Sequence, residues 1–123
     1  MNKRIKSLTF CIVLVAFLTP ASISFAASLD FETITVADTA IGFTAAKIAP
    51  DVINGSRPVS KVFITNETAE IRFRLDGSDP SSTVGHLMAV GDSIIIDGAD
   101  KIYRFKAIRT GGTSGTLSVT YER

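Results

Sequence analysis

Ala69-Glu70-Ile71-Arg72-Phe73-Arg74-Leu75 is the stretch that decides the fold, because its side chains change character at every step. Ile71, Phe73 and Leu75 share one parity, and Glu70, Arg72 and Arg74 share the other. An extended strand points successive side chains to opposite faces, so this alternation gives it one apolar and one charged face.

Upstream, residues 59–65 form the next expected strand, and Asn66-Glu67-Thr68 between the two is short enough for a hairpin. Residues 31–36 alternate again, with Phe31 and Thr33 on the apolar parity, until Ala37-Asp38-Thr39 ends the pattern. Residues 41–48 add a run of apolar and small side chains. After it, Ala49-Pro50-Asp51 and Asn54-Gly55-Ser56 mark a long turn region.

Downstream, Asp76-Gly77-Ser78-Asp79-Pro80-Ser81-Ser82 has the composition of an exposed loop. Residues 84–90 form a weaker strand, Gly91-Asp92 a tight turn, and residues 93–97 a β-branched strand expected to be buried on both faces. Gly98-Ala99-Asp100 turns the chain into a longer strand over 101–109, with Tyr103, Phe105 and Ala107 on one parity. Residues 111–115 make a glycine-rich hairpin loop, and the last strand, 116–121, faces Leu117, Val119 and Tyr121 inward. Seven or eight strands at intervals of about a dozen residues predict an all-β fold, a small antiparallel β-sandwich or jelly roll.

The first 26 residues have a different composition. Lys3, Arg4 and Lys6 precede an apolar run over 8–18, and Ser24 and Ala26 supply the small residues of a signal-peptidase site between Ala26 and Ala27. The run falls short of the roughly 20 apolar residues a membrane span needs, so no stable span is expected after cleavage. An uncleaved anchor or a wrongly chosen start codon is the alternative reading.

Cys11 is preceded by Leu8-Thr9-Phe10 rather than the small residues of a lipoprotein box, and residues 27–123 contain no cysteine. The expected location is periplasmic or secreted, with a single domain over 27–123 held by its apolar core rather than by disulfides. Loss of three cations with the leader takes the net charge from +1 to −2. A near-neutral, slightly acidic domain is not built to bind nucleic acid.

The inventory of reactive side chains is short. His86 is the one histidine, so neither a second histidine for a triad nor a histidine cluster for zinc exists. Asp76, Asp79, Asp92, Asp97 and Asp100 fall in loops at spacings that match no calcium loop. The glycine-rich loop lacks the lysine and the following helix of a phosphate loop. Asn54-Gly55-Ser56 and Asn66-Glu67-Thr68 match the glycosylation acceptor pattern, which acts only in a eukaryotic secretory pathway.

Arg72 and Arg74, with Arg104 and Lys106 on a later strand of similar polarity, form a candidate basic stripe if those strands are neighbours. Together with Asp76, Asp79 and His86 they make up the candidate contact surface. The plainer reading is a solvated face balanced by Glu70, Asp97 and Glu122.

Ile-Arg-Phe-Arg-Leu-Asp-Gly at 71–77, Val-Gly-His-Leu at 84–87, Phe-Lys-Ala-Ile-Arg-Thr-Gly at 105–111 and Gly-Thr-Leu-Ser-Val-Thr-Tyr-Glu-Arg at 115–123 carry a likeness. In them the chain resembles small uncharacterised β-domain proteins of tailed bacteriophages and prophages. The resemblance implies a compact β-domain and a virion accessory role, without any catalytic motif. An export signal sets this chain apart from virion parts, which assemble in the cytoplasm.

The function expected is that of an exported, non-enzymatic β-sandwich module with no cofactor. It would act through surface contacts: self-association, attachment to an envelope or capsid surface, or binding of a protein or glycan. Loops 76–82 and 110–114 and the sheet edges are the expected contact regions. The rival expectation is a jelly roll that binds a small ligand or metal at His86, Asp92 and Asp97. Shared coordination of one ion would require those side chains to converge within about 5 Å of one cavity.

Overall fold

In a computed structural model of the chain, residues 29–50, 53 and 55–123 are described; the leader over 1–26 and Asn54 lie outside them. The elements run β1 Leu29–Val36, α1 Ala45–Ile48, β2 Lys61–Asn66, β3 Ile71–Arg74, β4 His86–Met88, β5 Ser93–Asp97, α2 Ala99–Arg104, β6 Lys106–Arg109 and β7 Gly115–Glu122. Every strand pair is antiparallel. Four strands form one sheet in the order β1-β7-β2-β5, and three form a second in the order β4-β3-β6. The fold is all-β, a two-sheet sandwich with seven strands among the described residues.

The alternation in the sequence builds the core. Ile34 and Val36 of β1, Val62 and Ile64 of β2, Ile96 of β5, and Leu117, Val119 and Tyr121 of β7 are the buried apolar and aromatic side chains of the four-stranded sheet. Ile71, Phe73, Met88 and Ala107 are those of the three-stranded sheet. Phe43 stacks on Phe105 with ring centroids 4.3 Å apart and meets the Tyr121 ring edge-on at 5.6 Å. Both geometries suit the quadrupoles of aromatic rings.

Several local expectations change. The stretch 101–109 is not one strand but α2 followed by β6. Gly98, at φ 108, ends β5, and Asp100 pairs with Arg104 one helical turn on at 3.1 Å. Ile102 is then the buried side chain of α2, and Tyr103, expected inside, is 76% exposed. The stretch 41–48 contributes one bridge, Ile41 to Ala107, before the chain folds into the single turn of α1.

The apolar parity of β1 is that of Ile34 and Val36, which leaves Phe31 outside and 56% exposed. Strand β5 is not buried on both faces, since Ile95 is 66% exposed. The segments 66–68 and 111–115 are not hairpins. Each joins strands in different sheets, β2 to β3 and β6 to β7.

Asn66 explains the first of these corners. A two-residue hairpin favours positive φ, which none of the described non-glycine residues adopts. Instead the buried Asn66 side chain donates through Nδ2 to the carbonyls of Ala69, at 2.8 Å, and Met88, at 2.9 Å, fastening the end of β2 to the other sheet. Its Oδ1 is buried without a partner among the described residues. A fully buried amide spent in this way is not a glycan acceptor in the folded protein. At the start of β7, a Cβ on Gly115 would stand 2.5 Å from Ile71 Cγ2, so the sheets approach too closely there for any side chain.

Candidate functional site

The outward face of the four-stranded sheet departs from what a sandwich strand normally shows to water. Outward positions alternate with core positions and are ordinarily polar. Here the register aligns Phe31 of β1 with Thr120 of β7, Thr120 with Phe63 of β2, and Phe63 with Ile95 of β5. Phe31, Phe63 and Ile95 are 56%, 45% and 66% exposed. At a strand spacing of about 4.8 Å, the row crosses the whole sheet over about 14 Å.

The flanking rows have their own chemistry. Two residues along the strands lie Thr33, Ser118, Thr65 and Ser93, a row of hydroxyls. On the other side lie Leu29, Glu122, Lys61 and Asp97. Lys61, Asp97 and Glu122 form no ion pair among the described residues, so their charges face solvent uncommitted. An apolar band bordered by hydroxyls and charges has the makeup of a contact surface.

The candidate basic stripe assembles only in part. Strands β3 and β6 are neighbours, and Arg74 stands opposite Lys106 in register. Arg72 lies two residues along the same outward face. Arg104 belongs to the last turn of α2 and lies over Gly77, where a Cβ would sit 3.7 Å from its Cγ.

All four cations are engaged. Arg72 donates to the carbonyls of Ser82, at 3.2 Å, and Gly85, at 2.8 Å. Arg74 forks onto Asp76, Lys106 reaches Asp79 at 2.5 Å, and Arg104 pairs with Asp100. The Arg74 hydrogen bond, more than the other contacts, holds the Asp76 carboxyl below its ordinary range. The balancing acids are therefore close by, Asp76 and Asp79 in the loop after β3 and Asp100 in the first turn of α2, and the face is nearly neutral.

His86 begins β4 beside an open cleft of about 530 Å³ that Arg74, Asp76 and Lys101 also line. Its ring is exposed and lies 5.3 Å from that of Phe73. Among the described residues it makes no side-chain hydrogen bond. Asp92 accepts from the Ala89 N–H at 2.8 Å, which closes the turn before β5. Asp97 ends β5, about 16 Å further along at the usual rise per residue. His86, Asp92 and Asp97 are thus not brought together, and no group of three potential metal ligands occurs among the described residues.

A polar cluster closes one end of the sandwich. Glu32 accepts from the Thr44 hydroxyl at 2.6 Å and from the Tyr121 phenol, while Asp30 pairs with Lys47 at 2.8 Å. Burial, and then the carboxylate of Glu32, push the Tyr121 pKa upward. The Lys47 hydrogen bond draws Asp30 below its usual value. These groups serve the packing of β1 and the segment leading into α1.

The contact regions expected from the sequence fall on loops, sheet edges and basic residues, and the exposed apolar row on the sheet face is not among them. The signal was present as apolar residues off the core parity: Phe63 between Val62 and Ile64, and Ile95 within Ile94-Ile95-Ile96. Among known proteins, no family model, curated protein or solved structure matches the chain. No helix of the described residues is long and apolar enough to cross a membrane.

Proposed function

We propose that this chain is an exported, non-enzymatic β-sandwich module that works by surface contact, and that its contact surface is the outward face of the four-stranded sheet. The observation that carries the reading is the aligned row Phe31, Thr120, Phe63 and Ile95, apolar and exposed at three of its four positions. Leaving such a band in water forgoes about 25 cal/mol per Å² of apolar area, a cost that covering the face removes. The engaged cations around Arg74 and the solitary His86 offer no comparable surface and no nucleophile with its base.

Export follows from the leader. It places the module in the envelope or outside the cell, where an attachment or structural role fits a rigid domain without a cofactor.

The test is site-specific photo-cross-linking in the exporting cell, using the full chain. A photoreactive residue at Thr120, in the middle of the face, is expected to give adducts. One at Thr113, in the loop favoured by sequence, is expected to give none. Adducts from position 113 alone, or from neither position, would refute the assignment of the face.

A further inference from the structure

We infer that the partner of this face is a second copy of the chain, stacked outward face to outward face about a two-fold axis parallel to the strands. The inference rests on the sheet face being the contact surface. An axis lying between the two facing sheets and passing between β7 and β2 reverses the strand order but keeps each row at its own level. Strand β1 then lies over β5 of the second copy, and β7 over β2.

Each row meets itself in reverse, and on the two central strands the chemistry matches, while Leu29 and Asp97 face one another at the edges of the charged row. Phe63 falls over Thr120 of the second copy and Phe31 over Ile95, so large side chains meet small or branched ones rather than one another. The hydroxyl row meets hydroxyls. In the charged row, Glu122 of each copy comes to lie over Lys61 of the other. Two intermolecular ion pairs form from charges that no intramolecular ion pair among the described residues occupies.

A two-fold axis across the strands would lack this match. Centred on the apolar row, it would set the charged row against the hydroxyls and leave Lys61 and Glu122 unpaired. A two-fold interface must be self-complementary, and only the parallel axis sets Lys61 of each copy against Glu122 of the other. Stacked sheets pack about 10 Å apart with strands within about 30° of one another, which keeps the facing rows within reach.

The charges supply the test. In Lys61→Glu, both intermolecular pairs become carboxylate against carboxylate; in Glu122→Lys, both become ammonium against ammonium. Sedimentation velocity over a concentration series, on protein purified after expression of the full chain, should show the unsubstituted protein as a dimer. Each single variant should associate about tenfold more weakly, as loss of two rim pairs and their replacement by repulsion implies. An equimolar mixture of the two should associate like the unsubstituted protein, because at each crossing opposite charges then face one another across the interface: carboxylates from the Lys61→Glu copy meet ammonium groups from the Glu122→Lys copy. The double variant, with the charges exchanged within one chain, should also dimerise, and it keeps the opposite charges on neighbouring strands that each single variant loses.

A monomer at all concentrations, or a dimer that the mixture does not restore, would overturn the inference. The adducts at position 120 separate the two levels. A self-adduct supports the second copy, and an adduct with a glycan or an unrelated protein rejects it while the contact face stands. No adduct from that position removes the face itself.

Discussion

The Tyr121 phenol shows how a single residue couples core to surface. Its ring is fully buried against Phe43, yet its O–H reaches Glu32, a residue 89 positions away in the chain. A hydrogen bond to a charged acceptor contributes about 1.5–3 kcal/mol. Tyr121→Phe keeps the ring and removes the bond, so it should lower unfolding free energy by about that amount in urea titration with an unchanged slope. The pH dependence has a definite sign. Because the folded pKa lies above the ordinary 10.0, the phenol's contribution is complete below pH 10 and is lost as pH rises beyond it. Tyr121→Phe should lack that component of the alkaline decline. Asp30 acts in the opposite sense. Its pKa is lowered from 3.8, so its contribution is intact above that pH and disappears as pH falls through the lowered value. Asp30→Asn should therefore flatten the acid limb of midpoint against pH; an acid limb identical to that of the unsubstituted protein would show that the Lys47 pair contributes nothing. Neither contact is legible in the sequence, because the parity read from Phe31 and Thr33 turns Asp30 and Glu32 outward, and only the fold brings Lys47, Thr44 and Tyr121 beside them.

At the scale of elements, alternation was a sound guide where the large apolar side chains of a strand share one parity, and it pointed the wrong way in β1, where Phe31 and Ile34 fall on opposite parities. The parities of β3 and β7 follow directly from Ile71 and Phe73 and from Leu117, Val119 and Tyr121. Alternation misleads where a short helix imitates it. Lys101-Ile102-Tyr103-Arg104-Phe105 suits a strand if Tyr103 and Phe105 point inward, and a helical turn if Ile102 does; the backbone break at Gly98 decides for the turn. The two assignments predict different stabilities. Ile102 is 1% exposed, so Ile102→Ala should cost about 2–5 kcal/mol as a core truncation. Tyr103 is mostly in water, and Tyr103→Ala should stay within about 0.5 kcal/mol. Chemical denaturation of the two variants decides between them, and the reverse order would restore the strand. The corners were illegible for a related reason. A short polar segment signals a reversal of the chain but not whether the next strand pairs with the last or crosses to the other sheet, and at 66–68 the buried Asn66 side chain makes that choice.

For the whole molecule, what could not be read was the order of strands. Of the five strand pairings among the described residues, only β3 with β4 joins strands that are consecutive in the chain, so the apolar row on the sheet face draws on positions 31, 63, 95 and 120. A sequence scan finds Phe63 and Ile95 as apolar residues off parity, and without the register nothing aligns them with Phe31. The same register separates contact from folding at adjacent residues. Phe63 points out between Val62 and Ile64, both fully buried, so one step along β2 moves from the proposed contact surface to the core. Phe63→Lys removes apolar area from the face and leaves the core packing alone. It should change unfolding free energy by no more than about 1 kcal/mol, the span of strand propensity, while abolishing both adducts at position 120 and self-association. Ile64→Ala opens a cavity and should cost about 2–5 kcal/mol, while any molecule that remains folded keeps the face and still associates. If Phe63→Lys unfolds the protein as severely as Ile64→Ala, the outward row belongs to the core of a larger arrangement and not to a contact face. If it folds and associates unchanged, the apolar row plays no part in contact.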